Sequence, residues 1–448
     1  MTLSKGSAAV AFLVAFLLLW GCGTQPEPTV RRTLTYTFDA STRDLIHILE
    51  KQEIAAYQDF DRDYKGLMVP ESLLPLEPFV LGLSTQSQIP AVLILDAPWV
   101  QRYAKAGWLY KLDTNKVFAR EKLAPSVAEA FSVMMPNHTN QLKKELMAVP
   151  TNIKGNILFY RMDLLKKHRV EPPRTWEELA TACRKIMPRE PRVKYGLLLH
   201  VTNFMNDFYP ILWGYGGRVI DGAGNRVLGE PQNLARCLAA LRDLVKMQGA
   251  ITPGPKDLEF FETTGSLRRA FYRGEALFMI NWNTRLQDLR GMITQGASAR
   301  PGCLTDMDQV GVLPIPCQQG QKLRYSNIGS FGWGVNRYTV TPEREWIVER
   351  AKAFIQLVME ERFQLLAAEK LGQVPALEDA LDKVKNKEVL KVYHSAFKVP
   401  DMRLKPRPYS RRLNNVLEKH LVKVLYGQRT PEEAVQAALR ELKSPGAS

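Results

Sequence analysis

The 448-residue sequence has little cysteine and little histidine, five and six residues. That argues against a disulfide-stapled scaffold, and with no histidine pair at metal-ligand spacing it argues against a histidine-built metal centre. The sequence has no phosphate loop, no H-E-x-x-H, no G-x-S-x-G and no paired C-x-x-C. The commonest nucleotide, zinc-protease, serine-hydrolase and dithiol chemistries therefore have no recognisable seat. It has no apparent low-complexity block or internal repeat. Its apolar run from Ala8 to Trp20 spans thirteen residues, too few to cross a bilayer as a helix, and no other stretch comes close to that need. Acidic residues are outnumbered by basic ones, 46 against 61, for a net charge of +15. The basic residues are dispersed, as on a solvated surface, and no recognition motif accompanies them, so nucleic-acid binding is not expected. One dense patch stands out, "RLKPRPYSRR" at 403 to 412.

The short apolar run behind Lys5 is the h-region of an export signal. It ends at Leu19-Trp20-Gly21-Cys22, a small residue before a cysteine, which resembles a lipobox. That resemblance implies a signal peptide over 1–21, lipidation at Cys22 and a lipidated tether over 22–30, Pro-containing and spacer-like. Four other cysteines remain. Cys303 and Cys317 lie in a loop-rich segment where a disulfide is open to them, whereas Cys183 and Cys237 fall in helical patterns that suit small buried thiols.

Length alone asks for two domains, and the pattern along the chain is α/β. "LTYTFD" (34 to 39) alternates like a strand, and helical spacing follows over 42 to 58. "AVLILD" (91 to 96) is the near-continuous apolar run of a strand covered on both faces, and a short helix from Pro98 to Ala106 follows. Beyond an extended stretch at 148 to 161, Thr175 and Glu178 form a capping box. "YGLLLH" (195 to 200) is a strand, helices are expected near 206–214, 232–248 and 260–272, and "ALFMI" (276 to 280) is a buried strand. Strands return at 310–316 and 329–337. Ile347, Ala351, Phe354, Ile355 and Val358 mark one face of a helix opened by Thr341-Pro342. The last hundred residues read as helical, ending in a second capping box at Thr430 and Glu433.

Five segments in this order carry a family resemblance: "IPAVLILDAPWVQRYAKAGWLYKLD", "VPTNIKGNILFYRMDLLKKHRVEPPRTWEELATACRKI", "SLRRAFYRGEALFMINWN", "VGVLPIP" with "GSFGWGVNR", and "LYGQRTPEEAVQAALREL". The chain resembles the carbohydrate-type extracellular solute-binding proteins of bacterial ABC importers, the class that includes maltose- and trehalose-binding proteins. The resemblance implies a two-lobed periplasmic-binding-protein-like fold with discontinuous lobes and a helical C-terminus. Lobe one would be 31–149 plus 306–358, and lobe two 150–305 plus 359–448. It further implies a small carbohydrate bound between the lobes, delivery to ABC importer membrane subunits, a membrane anchor through Cys22, a monomer, no cofactor, no metal and no catalysis. A ligand-sensing lipoprotein without transport and a carbohydrate-active hydrolase stay open as alternatives.

A sugar offers one apolar face and an edge of hydroxyls, so its site needs aromatic platforms and two-way hydrogen-bonding side chains. Ligands of open α/β sheets sit beyond the carboxyl ends of strands, which singles out Asp39 and Asp96. Each could instead cap the helix after it. Asn152 sits at the expected lobe crossing, and Asn206 lies in a loop where the family places ligand contacts. Trp333 is flanked by glycines that admit close approach. Arg407 is held between prolines, and Trp282 stands between two amides where a buried strand should reach the cleft. Trp282 is the leading candidate for a stacking platform.

Overall fold

The computed structural model describes residues 34–38, 40–52, 57, 60–68, 90–111, 120–136, 141–222, 224–261, 264–296, 302–408 and 410–444. Asp39, Cys22, the signal segment 1–21 and the tether 22–30 lie outside the described residues. The chain forms β1 (Leu34–Phe38), α1 (Ala40–Lys51), β2 (Tyr64–Met68), β3 (Val92–Asp96) and α2 (Ala97–Lys105). Next come the short β4 (Val149–Pro150) and β5 (Asn152–Ile153), then β6 (Asn156–Arg161), α3 (Trp176–Ile186), β7 (Tyr195–Leu198), α4 (Met205–Gly214), α5 (Pro231–Met247), α6 (Thr264–Tyr272) and β8 (Ala276–Trp282). The remainder is β9 (Val310–Leu313), β10 (Arg324–Ile328), β11 (Phe331–Val335), α7 (Trp346–Val358), α8 (Glu361–Leu371), β12 (Val374–Pro375), β13 (Met402–Pro406), α9 (Arg411–Leu425) and α10 (Pro431–Lys443).

Two sheets carry two lobes. The first has the order β2-β1-β3-β11-β4 and the second β9-β6-β8-β7. In the first, β1 runs parallel to β2 and β3, while β11 is antiparallel to β3 and β4. All five residues of β3 are buried, as the continuous apolar run requires of a strand covered on both faces. Phe354 of α7 closes one face of this sheet, 4.9 Å from Trp333 and 4.8 Å from Tyr36 between ring centroids. The expected face of α7 is buried throughout, at Ile347, Ala351, Phe354, Ile355 and Val358. In the second sheet the period-2 alternation of β6 sorts its side chains into two layers. Leu158 and Tyr160 join α3, α4, α5, α9 and α10, while Ile157 and Phe159 face the layer that holds α6. Ala276 to Ile280 of β8 are fully buried. Both expected capping boxes form, Thr175 with Glu178 and Thr430 with Glu433.

Three expectations are corrected, and one question left open by the sequence is answered. The first lobe does not resume at 306, because β9 pairs antiparallel with β6 in the second sheet and the chain rejoins the first sheet only at β11. Nor does the second lobe resume at 359: Tyr57 stacks on Phe363 of α8, so that helix covers the first lobe, and it is α9 and α10 that enter the second core. A strand's place is set by its pairing partners, which sequence neighbours do not reveal. Cys303 and Cys317 are not paired; all four described cysteines are free and buried. Cys317 is tied to the start of α3 through Arg174 and Thr175, while the segment of Cys303 is tied to Tyr272 through Leu304. Finally, the C-terminal hundred residues are not all helix. Met402–Pro406 is a strand, β13, parallel to β10, and neither strand was expected. Charged residues and a terminal proline suit an edge strand of a two-stranded sheet and hide its period.

Candidate functional site between the two lobes

Asp96 closes β3 and precedes α2. Its side chain makes no cap hydrogen bond to that helix, so the capping account of the residue fails. The carboxylate turns instead to Arg407, whose Nη2 donates to Asp96 Oδ2 at 3.1 Å. Arg407 lies just past β13, and its Nη1 donates to Asn206 Oδ1 on α4. One guanidinium thus joins the first lobe to the second, as a planar fork with several donors can. Burial pushes the Asp96 carboxyl above the usual carboxylate range, against the opposing pull of Arg407 and Lys154.

Asn206 is fixed from below. Phe204 and Met205 donate their backbone N–H groups to Glu418 at 2.7 and 2.9 Å, so a carboxylate from α9 satisfies the open N-terminus of α4. Burial raises the pKa of Glu418, with those two amides opposing the shift. The backbone carbonyl of Asn206 accepts from Asn156 Nδ2 at 3.3 Å, and the same amide donates to Asp207 at 2.7 Å. Asp207 in turn accepts the backbone N–H of His200 at 2.7 Å and faces His200 Nδ1 at 2.9 Å.

Asn156 opens β6 and is the register partner of Trp282 on β8. Trp282 is half-buried, and the Lys154 ammonium lies 5.3 Å from its ring centroid. The same ammonium lies 5.3 Å from the Phe331 ring. Phe331 is the register partner of Asp96 across β11 and β3. The contacts therefore form a ring: Asp96, Arg407, Asn206, Asn156, Trp282, Lys154, Phe331 and back to Asp96. It runs along the carboxyl end of β3 and the facing ends of β6 and β8.

Gly155 and Gly329 let the ring close. A Cβ on Gly329 would stand 2.5 Å from the Trp282 indole, and one on Gly155 would stand 2.7 Å from Ser326 Oγ and 3.1 Å from the Asn327 carbonyl. Among the described residues, Asp96 Oδ1, Asn156 Oδ1 and Arg407 Nε have no hydrogen-bond partner in the protein. Two acceptors and a donor beside an indole are what a polyol with one apolar face requires.

Of the residues expected from sequence, the structure brings Asp96, Asn206 and Arg407 into direct contact and places Trp282 on the same ring. Asn152 is elsewhere, buried in β5 with Nδ2 donating to Gln373 Oε1 at 3.2 Å, beside the pairing of β5 with β12. Trp333 is corrected outright: it lies two residues deeper in β11 than Phe331, 1% exposed against Tyr36 and Phe354, and is core. The amides flanking Trp282 also face inward, Asn281 accepting from the Trp282 N–H at 2.9 Å and Asn283 from the Gly155 N–H at 3.0 Å. Lys154, Asn156, Phe331 and Glu418 were missed. The Lys154-Gly155 pair at the crossing was a usable signal, since a glycine there marks a close approach. Glu418 had none, being distant in sequence from the helix it caps. Among the described residues no group of three His, Cys, Asp or Glu gathers as metal ligands, and no helix is long and apolar enough to cross a membrane.

The family model of bacterial extracellular solute-binding proteins matches residues 81–392. The chain belongs to that family, an exported class whose members bind solutes. A probable ABC transporter-binding protein of Deinococcus radiodurans is 26% identical over 235 residues, 49% of this chain. The chain spans about half the length of that relative, 50%. The fold is that of two-lobed binding proteins. Maltose-bound MalE3 of T. maritima superposes with a TM-score of 0.68 at 24% identity, covering 92% of this chain and 99% of its own. A solute-binding protein of Agrobacterium radiobacter K84 in complex with ribitol gives 0.66 at 19%, covering 93% and 100%. The GacH receptor of Streptomyces glaucescens, solved unliganded and with acarbose, gives 0.66 at 21%, covering 91% and 97%.

Proposed function

We propose that the protein captures a small carbohydrate between its lobes and delivers it to the membrane subunits of an ABC importer. The observation that carries this reading is the Arg407 bridge from Asp96 of the first lobe to Asn206 of the second, set beside Trp282. A ligand that touches all of these prefers the closed arrangement, and it shifts the equilibrium between open and closed only by that preference. The maltose, ribitol and acarbose named for similar structures support the ligand class. Binding needs no covalent step, so the ring's residues act by orienting hydroxyls and stacking. The working form is a monomer held at the membrane by a lipid on Cys22, in keeping with the signal-like run before it.

A thermal-shift screen of sugars, sugar acids and polyols tests the reading. A ligand at about a hundred times its dissociation constant adds roughly 2.7 kcal/mol of stability, a clear rise in melting temperature. A screen with no shift overturns the carbohydrate assignment, and release of product from an oligosaccharide overturns binding in favour of hydrolysis.

A further inference from the structure

We propose that Asn156 sets specificity: Asp207 locks its amide so that the oxygen accepts from one ligand hydroxyl beside the Trp282 indole and turns away groups that cannot donate. This rests on the carbohydrate reading above and adds the polarity that one subsite demands.

An asparagine amide can present its oxygen or its nitrogen, and its surroundings decide which. Asn156 is fully buried at the start of β6. Its Nδ2 meets two acceptors, Asp207 Oδ1 at 2.7 Å and the Asn206 carbonyl at 3.3 Å. Turning the amide over would set its oxygen against both, so Nδ2 stays on their side and Oδ1 takes the other. Asp207 is itself held. It is 0% exposed, Oδ2 accepts the His200 backbone N–H at 2.7 Å, and its two oxygens lie 3.0 and 2.9 Å from His200 Nδ1. The Asn206 carbonyl is held too: the Asn206 N–H donates to the Asn203 carbonyl at 2.9 Å, and Glu418 fastens the two residues between them.

A second observation comes from strand register. Residues paired across neighbouring strands point to one face of a sheet, so the pair Asn156 and Trp282 shares a face at the end of β8. Since β7 runs parallel to β8, His200 just past β7 stands at the same edge. The acceptor therefore lies beside the stacking platform. Asn156 Oδ1 is buried and has no hydrogen-bond partner in the protein. An unpaired buried acceptor is destabilising, and the hydroxyl edge of a sugar stacked on the indole supplies the missing donor. A bare carbon at that position leaves Oδ1 unpaired, and an ether or carbonyl oxygen sets acceptor against acceptor.

Calorimetry on the detergent-solubilised full chain tests this. The parent probe is the tightest binder among glucose, galactose, maltose, ribitol and glucuronate, and its monodeoxy and deoxyfluoro forms follow, one hydroxyl at a time. Fluorine accepts weakly and cannot donate. At one hydroxyl the deoxy form should bind about tenfold weaker than the parent or worse, and the fluoro form weaker still. Asn156→Ala should shrink that margin to about threefold or less and leave the margins at other hydroxyls. Asp207→Asn should reverse the order of the deoxy and fluoro forms, because its amide nitrogen would face Asn156 and turn that residue's nitrogen to the ligand. Exchanging the two, Asn156→Asp with Asp207→Asn, should restore the first order, a rescue that a merely structural Asp207 does not give. Should Asp207→Asn fail to fold, the Asn156→Ala margin decides. A margin unchanged in Asn156→Ala, or an order unchanged in Asp207→Asn, overturns the proposal and leaves the carbohydrate reading intact. A panel in which nothing binds overturns both.

Discussion

Two tryptophans, one on a strand of each sheet, separate packing from recognition. Trp333 is enclosed by Tyr36 and Phe354, so Trp333→Ala should cost about 3–5 kcal/mol in urea unfolding, the range for a large side chain removed from a core. Trp282 is half-buried and carries Lys154 over its ring. Trp282→Ala should weaken ligand binding by about 1 kcal/mol or more, roughly fivefold, with little change in stability. Loss of the fold in Trp282→Ala would instead show core filling. Asp96 permits a test in pH. Its pKa is raised in the folded protein by burial, against Arg407 and Lys154, so its contribution to stability is full at low pH and is lost as pH rises through the folded value. Asp96→Asn removes the titration. It should therefore melt above the unaltered protein at pH 7, with the difference vanishing below about pH 4 where both side chains are neutral. A lower melting temperature at pH 7 would show that the Arg407 pair outweighs desolvation. At pH 7 ligand binding should fall in the variant, since one carboxylate oxygen is replaced by an amide donor.

Elements place these residues, and here sequence and structure part company in instructive ways. The strand β3 and the helices α3, α5, α7 and α10 were legible because each announces itself locally, by an apolar run, a capping box or one buried face. The two-lobed class came from the family resemblance that the ordered segments carry. The pair β10 and β13 was not legible, because its stability comes from partners 78 residues apart, as Leu404 paired with Ser326 shows, and its residues are charged or polar. Asp96, Asn206, Trp282 and Arg407 could be chosen as strand ends and stiff loops. Their meeting could not, since only the tertiary fold sets Arg407 between Asp96 and Asn206. Trp333 was misread because flanking glycines mark close approach without saying of what; Gly332 admits the ring of Phe131 and Gly334 the side chain of Leu95. At this scale Gly155→Ala should be harmful. Its Cβ would press on Ser326 and the Asn327 carbonyl, so the crossing at β6 and the end of β10 must separate. A loss of about 1–3 kcal/mol, as for other overpacked sites, should appear in thermal unfolding together with weaker ligand binding.

At the scale of the whole molecule, Arg407 is a side-chain contact that joins the two lobes in this arrangement. Arg407→Ala should let the unliganded protein populate wider states, read as a larger radius of gyration in solution scattering. It should also lower ligand affinity by about 1.5–3 kcal/mol, the value of a hydrogen bond to a charged group. An unchanged radius would show that packing elsewhere holds the lobes together.

The chain passes between the lobes at residues 150–156, again at 313–331, and a third time between α7 and α9. The first two passes are fastened to each other: Gly329 N–H donates to the Lys154 carbonyl at 2.9 Å, and Lys154 N–H donates to Ser330 Oγ at 3.0 Å. Straps running in opposite directions and riveted side by side allow bending about a common line and resist swivelling. A protease that severed one strap would therefore leave a nicked molecule whose halves stay together and still meet in register.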